Sequence, residues 1–189
     1  MLAAVVLGLV AAAQGLAYLP FVSPHTTMDS PLYLQTADGI LHGRYSVPLP
    51  AVDETYWTVP PAARGVLQRE TTRTPGYPLL LAAVGGGERG ASRDLLYLVQ
   101  ALLCGLGVVL VGLTARRLWG PRIGLLACAL YALDPCSKRD VSLVLTEALA
   151  GVLVVAAAYA FVRAAQSREL RWWAATGALI AGAALTRPV

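Results

Sequence analysis

"LLYLVQALLCGLGVVLVGLTA", residues 95–115, carries no charged side chain. A helix that crosses a bilayer needs roughly 20 mostly apolar residues, and this run reaches that length. Residues 2–22 reach it too, with Gln14 as their strongly polar side chain, and residues 141–163 reach it with Glu147 as the charge inside the run and Arg163 at its end. Residues 123–133 (IGLLACALYAL) are too short alone. They span only if Leu118, Trp119 and a snorkelling Arg122 extend them to 118–134. Residues 171–186 begin a fifth apolar helix. The pattern predicts an all-α polytopic membrane protein with about five transmembrane helices, over 2–22, 95–115, 118–134, 141–163 and 171–186. A long first loop, 23–94, carries short juxtamembrane helices.

Composition agrees. Of 189 residues, 57% are hydrophobic and 14% charged, and the mean hydropathy is +0.60. A soluble domain carries roughly a quarter charged residues. The net charge of +4 is small and scattered, which argues against nucleic acid as a partner. The three cysteines form no CxxC pair, and Cys104 and Cys128 lie in apolar runs, where a thiol acts as a small hydrophobe. Residues 2–22 lack the basic start and short core of a cleaved signal peptide and read as an uncleaved anchor.

Arginine sets the orientation. Arg116, Arg117 and Arg122 flank the second-to-third connection, and Arg163, Arg168 and Arg171 the fourth-to-fifth. Cytoplasmic loops collect basic residues. The amino terminus is then cytoplasmic, and residues 23–94 and 134–140 (DPCSKRD) lie outside a plasma membrane crossed several times. Trp172 and Trp173 fall at the cytoplasmic interface. In the outer segment, prolines forbid a long helix. Residues 31–43 suit a short one, with Asp29 or Ser30 as N-cap and Pro31 in its first position. Residues 77–84 suit a helix lying in the interface, ended by Gly85–Gly87.

Three charged residues are candidates for a polar pocket at the outer face. Asp29 opens "DSPLYLQTADGILHGRYS" (29–46), directly after a charge-free amino-terminal segment; helix capping is its plainer role. Arg73 precedes a rigid turn in "TRTPGYPLLLA" (72–82), where headgroup anchoring is the alternative. Glu147 lies about six residues into the fourth run, where an ionisable group needs a partner or a cavity.

Four motifs in order, D-x-x-x-Y-x-x-x-A-D-x-[IL]-L-x-G-x-Y, R-T-P-G-Y-P-L-L-L-A, T-E-A-L and A-L-T-R-P, resemble the GT-C membrane glycosyltransferases. The similarity is to the family-39-like enzymes, relatives of aminoarabinose transferase and the protein mannosyltransferases, and spans about residues 1–188. It implies transfer of a sugar from a polyprenyl-phosphate donor to an extracytoplasmic acceptor, with the donor and the lipid bilayer as partners. Carried onto this sequence, Asp29 is the catalytic base or a metal ligand. Arg73 and Arg187 bind the donor phosphate. Glu147 and Asp140 make a second acidic contact, with Asp29 and Glu147 the pair for a divalent metal. Asp38 and Lys138 are lesser candidates. An arginine fork suits phosphate and a carboxylate suits a hydroxyl proton or a cation. Members of the family carry about twice as many helices, so an N-terminal fragment, inactive in isolation, is the expectation. The competing reading is a small membrane transporter or accessory subunit without catalytic activity; against it, the chain has no two similar halves with broken helices.

Overall fold

The computed structural model describes residues 1–19, 30–48, 67–69, 74–85, 93–144 and 146–187. Its elements are α1 (Leu2–Tyr18), α2 (Ser30–Leu41), β1 (Ser46–Pro48), β2 (Leu67–Arg69), α3 (Gly76–Ala83), α4 (Arg93–Trp119), α5 (Pro121–Ala132), α6 (Pro135–Val141), α7 (Glu147–Ser167) and α8 (Leu170–Thr186). The architecture is helical as expected. One antiparallel ribbon is added to it, pairing Ser46 with Arg69 and Pro48 with Leu67.

Two helices, Asp94–Trp119 and Glu147–Ser167, are long and apolar enough to cross a membrane. The surface agrees, since Leu9, Leu130, Val154, Phe161 and Ile180 are all exposed. Lipid, not water, suits so large an apolar exterior. Helices α1 and α8 have 17 residues each and α5 has 12. At about 1.5 Å per residue, α5 is about 18 Å long, short of a hydrocarbon core of about 30 Å.

The expected helix 118–134 begins instead at Pro121. Gly120, at φ 92°, makes the turn, and Pro121 takes the first helical position, so Leu118 and Trp119 close α4 and cannot lengthen α5. The expected helix 141–163 is also corrected. Asp134 caps α6, its carboxylate accepting from the Cys136 and Ser137 N–H groups, and α6 ends at Val141. A non-helical link follows, and α7 starts at Glu147. Near the amino terminus, α2 begins at Ser30, which puts Pro31 in its second position.

Helix α4 is central, packing on α1, α5 and α7, while α7 and α8 form an antiparallel pair. In lipid, close packing of small residues replaces the hydrophobic drive between helices. Gly8 of α1 and Gly105 of α4 supply it. A Cβ at Gly105 would stand 2.5 Å from the Gly8 carbonyl oxygen, and one at Gly8 2.7 Å from that of Gly105. Ala11, Val108, Cys128 and Ala132 fill the adjoining core, and both Cys104 and Cys128 are buried apolar fillers as read from sequence.

Gly105→Val should therefore part α1 from α4. Overpacking of this kind destabilises by about 1–3 kcal/mol, read as a lower melting temperature in detergent. Gly177→Val, where an added Cβ meets open space, is the control. Equal melting of the two variants would count against the close α1–α4 approach.

Candidate functional site

The site is built on the link between α6 and α7. Its backbone carbonyls leave the helical ladder and need other donors. Gln100 of α4, fully buried, provides two of them: its Nε2 donates to the Val141 carbonyl at 2.8 Å and to that of Leu143 at 3.0 Å. Its Oε1 accepts from the Tyr77 hydroxyl of α3 at 2.9 Å. The Ser30 hydroxyl of α2 donates to the Val144 carbonyl at 3.1 Å. Tyr33 of α2 meets Tyr77 edge to face, with ring centroids 5.3 Å apart. Gly76 lies so close to the end of α8 that a Cβ there would be 2.6 Å from the Leu185 carbonyl oxygen. Segments from all four motifs therefore meet at one end of the bundle.

Glu147 stands at that end, in the first turn of α7. It is not six residues inside an apolar helix, as the sequence suggested. Its Oε1 accepts from Arg187 Nη1 at 3.4 Å, across from the end of α8. Its Oε2 is buried and has no hydrogen-bond partner among the described residues. A small cleft of about 40 Å³ opens beside it, lined by Gly107, Tyr131, Ser137, Asp140 and Gly151 among others. Asp140 faces the same cleft from α6. Desolvation holds its carboxyl above the usual carboxylate range; Arg139 partly offsets this, and Glu147 and Asp134 add to it.

The structure thus brings three of the expected residues together: Glu147, Arg187 and Asp140. Asp29 and Arg73 lie outside the described residues. Asp38 is not part of the group; it sits beside His42, just past the end of its own helix, Oδ2 to Nδ1 3.7 Å. Lys138 is buried with its Nζ 3.0 Å from Ser137 Oγ and 3.9 Å from Cys104 Sγ. Gln100 was missed in the sequence, although a lone amide inside the 95–115 run is its signal. A buried amide is stable only when bonded.

A family model described as dolichyl-phosphate-mannose-protein mannosyltransferase matches residues 72–189. The matched span includes Arg73, Asp140, Glu147 and Arg187 and begins after Asp29. No curated protein and no solved structure gives a significant match.

Gln100→Leu should loosen this end selectively. It strands two carbonyls and a hydroxyl, each worth about 1–3 kcal/mol when buried and unsatisfied. Amide hydrogen exchange should accelerate over residues 141–150 and not over 105–115. Uniform acceleration would contradict the local role. Asp140 gives a pH test. Its folded-state pKa exceeds the unfolded value, so the folded chain binds more protons in the window between them. Stability then falls as pH rises from the ordinary carboxylate range through the raised value. In Asp140→Asn that component of the melting-versus-pH curve should vanish; an unchanged curve would contradict the desolvated carboxyl.

Proposed function

The chain belongs to the dolichyl-phosphate-mannose-protein mannosyltransferase family, a family of membrane glycosyltransferases, and we propose that it serves transfer of a sugar from a polyprenyl-phosphate donor to an extracytoplasmic acceptor. The observation that carries this reading is the Glu147–Arg187 pair. It joins the third and fourth motifs at the end where segments of the first two also pack. The accompanying topology is multi-pass in the plasma membrane with a cytoplasmic amino terminus. The Glu147 end then faces outward and the arginine-rich ends of α4 and α7 face the cytoplasm, as the distribution of basic residues supports.

The proposed chemistry is an inverting displacement. The acceptor oxygen bonds to the anomeric carbon as the bond from that carbon to the phosphate oxygen breaks, its electrons leaving with the phosphate. The acceptor proton passes to the Asp29 carboxylate. Arg73 and Arg187 take the charge that develops on the phosphate; the Arg187 side chain is 61% exposed and presents N–H groups beyond the one facing Glu147. Asp140, lining the same cleft as Glu147, offers a second acidic contact to the acceptor.

A divalent cation fits the same donors. Glu147 Oε2, buried and unpartnered among the described residues, is an oxygen suited to a hard cation, with Asp29 as the second ligand. Such an ion would neutralise the leaving phosphate.

The test is made in the complete enzyme in liposomes, with a polyprenyl-phosphate sugar donor. Asp29→Asn and Glu147→Gln keep size and remove charge. General-base assistance contributes roughly 10²–10⁴ in rate, so Asp29→Asn should slow transfer at least about a hundredfold while melting as the parent does. Asn also caps helices nearly as well as Asp, so a purely capping Asp29 predicts near-parental turnover, and that result would return it to a structural role. Glu147→Gln should lose transfer similarly and raise the apparent donor KM, because Arg187 loses its partner.

A further inference from the structure

The opposite end of α7, about 30 Å from Glu147 at about 1.5 Å per residue, carries a second cluster that the transfer chemistry does not use. Here α4 and α7 end side by side. Arg117 Nη1 donates to Gln166 Oε1 at 3.2 Å, and Gln166 Nε2 donates to the Arg117 carbonyl at 3.3 Å. Guanidinium groups are stacked on rings: Arg163 lies 4.7 Å from the Trp172 ring centroid, Arg171 lies 5.9 Å from the same ring, and Arg117 lies 5.7 Å from Tyr159. Tyr159 and Trp172 meet edge to face at 6.2 Å, so one aromatic pair carries all three cations. Such stacking fixes a planar fork in place and leaves its N–H edge for an anion.

The cluster is short of acceptors. Glu169, paired with Arg171, is the only acid in the sequence between Phe161 and Arg187, and there is none between Thr114 and Leu133. Arg163 Nε and Trp172 Nε1 are buried donors without an acceptor among the described residues. Immediately beside the cluster the surface turns apolar, with Trp119 68% and Leu170 81% exposed. Fixed cations next to bare apolar surface fit a molecule with an anionic head and hydrocarbon tails. We infer that this end of the bundle is a binding site for an anionic phospholipid, its phosphate held by Arg117 and Arg163 and its chains lying along α7 and α8.

The site is tested by native mass spectrometry on the complete chain, extracted from vesicles of mixed phosphatidylcholine and phosphatidylglycerol. Each arginine near a membrane surface contributes about 1 kcal/mol toward an anionic lipid, or about fivefold. The parent should retain phosphatidylglycerol over phosphatidylcholine by at least about that factor. Arg163→Gln and Arg117→Gln should each remove most of the preference. They lie on different helices, so failure of one variant to fold leaves the other as the test. Arg163→Lys keeps the charge and loses the fork, and should fall between the parent and Arg163→Gln. Arg122→Gln removes the same charge from α5, outside the ring stack, and should leave the preference intact. No preference in the parent, or equal losses in the Arg122 and Arg163 variants, would overturn the site. Displacement of phosphatidylglycerol by inorganic phosphate would overturn its assignment to a lipid.

Discussion

The side-chain amide of Gln100 is the constraint on which the Glu147 end of the bundle depends. In an apolar surrounding, a backbone carbonyl that leaves the helical ladder must find another donor or the helix continues. Residues 141–146 have the composition to continue. They break because Gln100 Nε2 takes the carbonyls of Val141 and Leu143, and Ser30 takes that of Val144. The amide is in turn satisfied by the Tyr77 hydroxyl, so the network closes across α2, α3, α4 and the α6–α7 link. A fully satisfied polar network in a low-dielectric interior fixes one arrangement where an apolar interface permits several.

The break changes the electrostatics of Glu147. Within a continuous helix its carboxylate would lie along an apolar wall. At the first turn of α7 it meets the positive end of the helix dipole and the guanidinium of Arg187 together. The desolvation that an ionised group suffers inside a membrane segment is thereby reduced by position as well as by pairing. Asp140 has less help. It shares the cleft with Glu147, feels the charge of Asp134 as well, and has Arg139 only at 4.0 Å, so burial dominates and its carboxyl is held above the usual range.

Much of this was legible in the sequence and some was not, for physical reasons that differ by residue. The apolar runs located α1, α4, α7 and α8, because helix length against bilayer thickness is a strong constraint. The resemblance named Glu147 and Arg187 for different roles, and the contact between their side chains was not anticipated. The break before Glu147 was illegible because it is imposed from outside: its donors are on Gln100 and Ser30, more than forty and a hundred residues away in the chain. Periodicity within 141–163 holds no trace of them. The start of α5 could have been read, since Gly120–Pro121 is a local turn signal, but the short apolar run invited extension across it. The ribbon from Ser46 to Pro48 and Leu67 to Arg69 pairs strands of three residues each, too short for alternation to register.

Glu147 differs from an ion pair kept only for stability. A buried carboxylate that serves structure gains most when both oxygens are bonded, because each unsatisfied one is penalised by desolvation. Arg187 engages Oε1 alone, at 3.4 Å, with most of its own side chain exposed, and Oε2 is left buried without a partner among the described residues. Natural sequences depart from local consistency mainly where function requires it. The surrounding structure holds this departure firmly: the carbonyls of the link are bonded, Gly76 packs tightly on the end of α8, and the Tyr33–Tyr77 contact locks α2 to α3. A rigid frame thus surrounds one carboxylate and one guanidinium that each retain bonding capacity beyond their mutual contact among the described residues.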